Sequence, residues 1–387
     1  MCFLEKIVSK IYRLFIYYYI KRNIFKNSHK ERVLISYLVL PFFYKHYRHT
    51  NNQEVHAIAK AFNNLGFIVD VVDYRFKGKI NYSNYSLLFG FGNVLENSFY
   101  EKKFEGTRVV YGTGSHFNFQ NTRTTFRLFN FYEKYKKLFP GGARFAANKH
   151  PLQWSFFDYL FLLGNEFTAK TYQKNNNNIS LLPVSFINTN TFKIEDIYQK
   201  KEDAMKNFLY FSGSGCLHKG LDLLFEYFSK NQKLKLHVCG LNKADQEIFD
   251  YLFEYYGFPG NIQNYGFVNL NSNIFKELML TCSFCLLPSC SEGQSSAVVN
   301  LMANGALVPI VSPQVGLPSA CPSIVIGKEL TFEDIESAIG HSQRLSFEAV
   351  KELSRQVYSY VFENHSLDIF QKKIEQNILK ISKGDQR

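Results

Sequence analysis

Residues 291–316 read SEGQSSAVVNLMANGALVPIVSPQVG. An apolar run, Phe284 to Leu287, leads into this stretch and stops at Pro288, as a buried strand entering a turn does. Ser291, Glu292 and Gly293 fall in the turn. Gln294, Ser295 and Ser296 have the small polar character of a helix start, and the spacing predicts a helix from about Ser296 to Asn304-Gly305. Val308 to Val311 then restores a strand. A strand, a helix and a second continuously apolar strand make one unit of a parallel sheet with a crossover helix. In such a unit the helix N-terminus places free amide donors and the positive end of its dipole above the strand ends. A carboxylate there, Glu292, can accept hydrogen bonds from ligand hydroxyls; alternatively it is only a first-turn acid that favours the dipole.

The same alternation extends in both directions. Upstream, Phe208 to Phe211 is a strand followed by Ser212-Gly213-Ser214-Gly215 and a helix from Gly220, and Leu234 to Cys239 is the next strand. Earlier still, Val33 to Pro41, Phe67 to Val72, Leu87-Leu88, Arg108 to Tyr111 and Tyr159 to Leu163 read as strands. A helix-patterned segment, Gln53 to Leu65, stops at Gly66. The Asn175 to Asn178 run and the charged stretch Lys193 to Lys206 separate two halves. The expectation is an α/β protein with two Rossmann-like domains facing a central cleft, 33–200 and 201–360. A segment 361–387 returns to the first domain, and residues 1–32 form a basic amphipathic helix. Ligands of such folds bind at the carboxyl ends of the strands.

Gly213, Ser214, Gly215 and Lys219 lie where a glycine-rich turn meets a helix start. Glycines admit close approach of a phosphate, free amides solvate it, and Lys219 adds a full charge. A tight turn with a solvated lysine remains the alternative. His116 follows a strand and a double-glycine turn in VYGTGSHFNFQ; it is either a cleft residue or a histidine satisfied locally. Asn165 and Glu166 follow another strand, as cleft residues or as a helix N-cap pair. His49, Thr50 and Asn51 lie between the first strand and the first helix.

These motifs resemble the retaining glycosyltransferases of family 4, the group 1 glycosyl transferases, which adopt the GT-B fold. Glu292-Gly293, the small-residue helix start and Ala303, Gly305 and Pro309 are similar to that family's donor signature, and KGLDLL with Lys219 is similar to its phosphate-binding segment. The resemblance is strong from about Asn207 to Pro318 and looser before it. It implies transfer of a sugar from a nucleotide-diphosphate donor to a hydroxyl. Gly213, Ser214, Gly215, Lys219, Glu292, Gly293, Gln294, Ser295, Ser296 and Asn300 would line the donor, and His116 would approach the donor sugar. His49, Thr50, Asn51, Asn165 and Glu166 fall on the acceptor side. Two departures stand out. The family's second glutamate, which holds the ribose, is Asn300 here, and its arginine before the lysine is Ser214. The amides of Gly213 to Cys216, or another arginine, would then have to meet the phosphate charge.

Composition limits the alternatives. The chain has 387 residues, 46% of them apolar, enough for two cores. Its net charge is +12, and residues 1–32 alone carry eight lysines and arginines against two glutamates. No nucleic-acid reading motif accompanies this charge, so no nucleic-acid partner is expected. Phe3, Leu4, Ile7, Val8, Ile11, Leu14, Phe15 and Tyr18 recur at helical spacing. The uncharged run is far shorter than the roughly 20 residues a membrane span needs, and no cleavage site of a signal peptide follows. An interfacial helix on an anionic leaflet and a helix packed on the protein's own surface both fit. A cytoplasmic protein, peripheral on the inner face of the membrane, is the expectation, with a lipid-linked or envelope glycan as acceptor.

Seven cysteines sit mainly in apolar runs, as buried thiols of a reducing compartment do. Cys282 and Cys285 have no second ligand pair for zinc, and no Asp-x-Asp occurs, so no metal and no cofactor are expected. Asp245 and Asp334 read as residues of solvated charged stretches. A non-catalytic binding protein of the same fold and a sugar-nucleotide epimerase are the competing functions.

Overall fold

A computed structural model describes residues 15–43, 49–147, 149–172 and 178–384. The predicted N-terminal helix lies mostly outside these residues. Within them, Phe15 and Ile16 are helical, and the chain has left the helix by Tyr17. Lys21 and Val71 then exchange two backbone hydrogen bonds of 2.9 Å, so residues 17–27 run along the first domain.

The first domain is a parallel six-stranded sheet ordered β2-β1-β3-β4-β5-β6. Its strands are β1 (Glu31–Tyr37), β2 (Phe67–Asp73), β3 (Leu87–Gly90), β4 (Thr107–Gly112), β5 (Tyr159–Leu163) and β6 (Ile179–Leu182). The second domain holds β7 (Asn207–Phe211), β8 (Lys235–Cys239), β9 (Ile262–Asn264), β10 (Phe284–Leu287), β11 (Val308–Val311) and β12 (Ile324–Val325). Read from β9, its order is β9-β8-β7-β10-β11-β12, the doubly wound order of a dinucleotide-binding sheet. The order reverses between β7 and β10. The loops that follow these two strands therefore diverge and leave a crevice above their carboxyl ends. The two sequence motifs sit on these two loops.

Two connections hold the domains together. The Phe117–Tyr135 helix belongs to the first domain in sequence but packs against the second. Arg127 Nη2 reaches both oxygens of Asp222 at 2.6 and 2.7 Å, with both side chains buried. Beyond it, Phe131, Tyr135 and Phe139 pack tilted or edge-on against Tyr251, Tyr255 and Tyr256, and the Tyr135 and Tyr256 hydroxyls meet at 2.7 Å. At the far end the chain crosses back. The Leu367–Gly384 helix lies against the Thr50–Asn64 helix, where Asn64 donates to Glu375 at 2.8 Å.

The linker between the domains is anchored from both sides. Lys200 is buried and donates to Cys282 O and Gly305 O, both at 2.8 Å. These carbonyls end two helices, where a cation is favoured by the helix dipole. Upstream, Glu54 accepts from the amide and the hydroxyl of Ser185 at 2.8 and 2.9 Å. Glu54 is fully buried, and burial pushes its carboxyl up to about 7 despite those bonds. A carboxyl raised in the folded state contributes stability in full below its unfolded pKa and loses it as pH rises through the folded value. The window is therefore about 4.5 to about 7. Glu54→Gln keeps an acceptor for Ser185 and does not titrate. Its stability relative to wild type should rise between about pH 5 and about pH 8, by on the order of 3 kcal/mol. Chemical denaturation at the two pH values measures this, and parallel behaviour of the two proteins would refute it.

The six described cysteines are free and buried. Cys282 and Cys285 enter and occupy β10, and burial raises both thiols. Among the described residues no group of His, Cys, Asp or Glu could hold a metal ion. No described helix is long and apolar enough to cross a membrane.

Candidate active site

The loop after β10 brings Glu292 to the centre of the crevice. Its backbone is fixed first. Glu292 N donates to Gln314 O at 3.0 Å, and Glu292 O accepts from Ser115 N and Ser115 Oγ of the first domain at 3.1 and 2.6 Å. Gly293 follows in direct contact with the other domain. A Cβ there would lie 2.6 Å from Thr113 O and 2.8 Å from Leu163 O. Gly316 closes the loop from behind with φ +78°, and a Cβ on it would fall on Gly293 O.

The Glu292 carboxylate accepts from Ser289 Oγ at 3.2 Å and from Arg144 Nη1 at 2.8 Å, and Lys219 Nζ stands 4.0 Å away. Burial alone would raise its pKa, but Arg144 and Lys219 together hold it below the usual carboxylate range. Lys219 is itself buried, which lowers its pKa, and Glu292 opposes that shift. Its ammonium also reaches Gly213 O at 3.4 Å. Beneath this pair His218 is fully enclosed. Its Nε2 meets Ser291 O at 2.6 Å, so the proton sits on Nε2, and Nδ1 is free to accept from Thr124 Oγ1 at 2.8 Å. Burial pushes it down to about 4 and keeps it neutral.

The amides expected to meet a phosphate differ from expectation at one point. Gly215 N and Cys216 N do not face the crevice; both donate to Asp245, at 3.1 and 2.8 Å. Asp245 is buried and not solvated as its sequence setting suggested, because it satisfies these two amides. The exposed amides of Gly213 and Ser214 have no acceptor among the described residues, and neither do those of Ser296 and Ala297 in the first helical turn. Space above Gly213 is open.

A model of the family described as Glycosyl transferases group 1 matches residues 192–321. Residues 192–321 are a group 1 glycosyl transferase domain. About nine-tenths of the chain superposes on glycosyltransferases of the GT-B fold. Sucrose-phosphate synthase of Thermosynechococcus elongatus is 12% identical over 92% of this chain and 100% of its own, with a TM-score of 0.63. HepE of Anabaena, solved with UDP and glucose, is 9% identical over 91% and 100%, at 0.57. WaaG, a glycosyltransferase involved in lipopolysaccharide biosynthesis, is 13% identical over 89% and 98%, at 0.53. At these identities the likeness is one of fold. A comparison with curated proteins found no match.

Within the transferase domain the stretch expected to bind the donor divides in two. Its front, Glu292 to Ser296, faces the crevice, although Ser295 serves as N-cap of the Ser296–Gly305 helix and its amide is taken by Val315 O. Its side chains at Gln294, Asn300 and Asn304 hold the interdomain linker. Gln294 Oε1 accepts from Val184 N at 2.6 Å, Asn300 Oδ1 from Ile187 N at 2.8 Å and Asn304 Oδ1 from Thr189 N at 2.9 Å. Asn300 Nδ2 donates to Ser296 O at 2.7 Å. Asn300, where the resemblance would place a glutamate, therefore sits at a joint between this helix and the linker, where an amide can donate and accept at once.

On the first domain, His116 caps the Phe117–Tyr135 helix by accepting from Asn118 N at 3.3 Å. Its proton then lies on Nε2, which is buried without a partner. Asn165 is an N-cap whose side chain also donates to Leu317 O across the cleft at 2.8 Å, and Glu166 is exposed. His49 caps the Thr50–Asn64 helix through Asn51 N at 3.2 Å, and the loop before it, 44–48, lies outside the described residues. Arg144, Ser115 and His218 were not found from sequence. Arg144 has only the glycine pair Gly141-Gly142 beside it as a signal; His218 and Ser115 adjoin residues that were found.

Proposed function

We propose that this chain is a retaining transferase that moves a sugar from a nucleotide-diphosphate donor to a hydroxyl of a lipid-linked or envelope glycan. The observation that carries this reading is Glu292, ionised and held between Lys219 and Arg144 at the point where the second sheet reverses its order. His116 Nε2, one residue from the Ser115 that holds the Glu292 carbonyl, is buried without a hydrogen-bond partner, and so is Ser291 Oγ, one residue before Glu292. Orphaned polar groups of this kind cost about 1–3 kcal/mol each, which favours a polar ligand that completes them.

In this reading the leaving diphosphate gathers charge as the glycosidic bond breaks. Lys219 and the amides of Gly213, Ser214, Ser296 and Ala297 stabilise it. Glu292 orients the sugar through its hydroxyls, and His116 donates Nε2–H to another. Arrival of the acceptor on the face the diphosphate leaves lets that diphosphate take the acceptor proton. In this reading the acceptor side comprises His49, Thr50, Asn51, Asn165 and the exposed Glu166.

The membrane part rests on the surface of residues 15–43. Phe15 and Tyr18 are 72% and 62% exposed, Tyr19, Phe25 and Phe43 project beside them, and lysines and arginines interleave. Aromatic and cationic side chains together suit a headgroup layer.

A panel of nucleotide sugars tested by thermal shift identifies the donor, since a bound ligand at about a hundred times its Kd stabilises by about 2.7 kcal/mol. With that donor, Lys219→Ala and Glu292→Ala should each reduce turnover by about ten-fold or more, up to about 10³-fold. Turnover unchanged in both variants would remove the site.

A further inference from the structure

Arg144 approaches the donor site from the other domain. It lies between the Phe117–Tyr135 and Pro151–Ser155 helices of the first domain. Its backbone is tied down on every side. Gly142 O accepts from Leu217 N and His218 N, both at 3.1 Å, which fixes the segment to the loop after β7. Arg144 O accepts from Gln120 Nε2 at 2.8 Å, and Asn121 exchanges bonds of 2.8 and 3.0 Å with Ala146. Gly215, at φ +90°, completes the fit: a Cβ on it would stand 3.1 Å from Arg144 Cβ. The backbone at Arg144 is thus placed relative to both domains, while its side chain is 45% exposed and can turn.

That side chain ends on Glu292 Oε2, with Lys219 at the other oxygen and the open amides of Gly213 and Ser214 nearby. Two cations face the one carboxylate of Glu292, while the nearby Asp245 carboxylate is engaged by the amides of Gly215 and Cys216. The second-domain motif has serine, Ser214, where a second cation would be expected. We propose that Arg144 is the second diphosphate-binding cation, supplied across the cleft by the first domain, and that it exchanges its bond to Glu292 for the donor's diphosphate. This rests on the transferase reading. A guanidinium is always charged and matches phosphate oxygens with two parallel bonds. The exchange frees the Glu292 carboxylate to accept from a sugar hydroxyl at the moment the donor is in place. Because Lys219 and Arg144 belong to different domains, a diphosphate held by both also braces the cleft.

The test titrates inorganic pyrophosphate and orthophosphate calorimetrically into the full chain and its variants. Arg144→Ala should weaken pyrophosphate by about ten-fold or more and orthophosphate by less than about three-fold, because only the longer anion reaches both cations. Glu292→Gln should tighten pyrophosphate several-fold with Arg144 present, and by less than about two-fold in the Arg144→Ala background. Melting temperatures confirm that each variant is folded. If Lys219→Ala loses pyrophosphate while Arg144→Ala binds it like wild type, the role of Arg144 falls and the transferase reading stands. Equal tightening by Glu292→Gln in both backgrounds overturns the exchange. A wild-type chain that binds no pyrophosphate overturns both readings.

Discussion

Arg127→Ala is expected to destabilise the protein by about 3–5 kcal/mol, because it leaves the buried Asp222 carboxylate without its counter-charge. Arg127 reaches both Asp222 oxygens within 2.7 Å, and its Nε also contacts Leu217 O at 3.3 Å. The Asp222 carboxylate stands in the first turn of the Leu221–Lys230 helix, whose dipole compensates only in part. Among the described residues Asp222 forms no other ion pair. The loss should appear as a lower midpoint in urea. Replacing both partners by apolar residues, Arg127→Met with Asp222→Leu, should recover most of it, since two desolvation costs disappear together. If Arg127→Ala costs less than about 1 kcal/mol, the pair is not the clamp described here.

Gly293→Ala should cost transferase activity by about 10²-fold, with a smaller stability loss of about 1–3 kcal/mol. The new methyl group would meet Thr113 O and Leu163 O at 2.6 and 2.8 Å, and both atoms belong to backbone that ends sheet strands. Neither can rotate away as a side chain could. The loop must back out of the first domain, and Glu292, one residue earlier, moves with it. Its bonds from Ser115 and Arg144 both come from the first domain and are both lost. Donor turnover and small-angle scattering check this: activity should fall and the molecule should become less compact. Wild-type turnover in Gly293→Ala would mean that the two domains do not meet at this loop in the working enzyme.

Much of the architecture was legible in the chain. The largely apolar runs of β1, β2, β7, β8, β10 and β11 read as buried strands, and helices between them force parallel connections. The turn after β10 announced itself through Ser291-Glu292-Gly293, and Lys219 through its place before a helix start. These are local facts: burial period, turn chemistry and the polarity of a helix end. What the sequence hides is the long-range partner. The charged neighbours Lys243 and Glu247 suggest a solvated Asp245, yet a helix start folds it onto Gly215 N and Cys216 N. Asn300, expected along the donor, also bonds Ile187 in the linker through its side-chain amide.

By itself, then, the sequence determined two doubly wound sheets, the loops that end their strands and the chemistry stored in Lys219 and Glu292. Each depends on residues within a few positions of one another. Tertiary structure alone decided which partners those residues meet. Arg144 stands 148 residues from Glu292, Arg127 95 residues from Asp222 and Asn300 113 residues from Ile187. No spacing rule spans such separations. The pairs exist because the Phe117–Tyr135 helix and the linker are pressed against the second domain, and burial there demands a partner for every charge and amide.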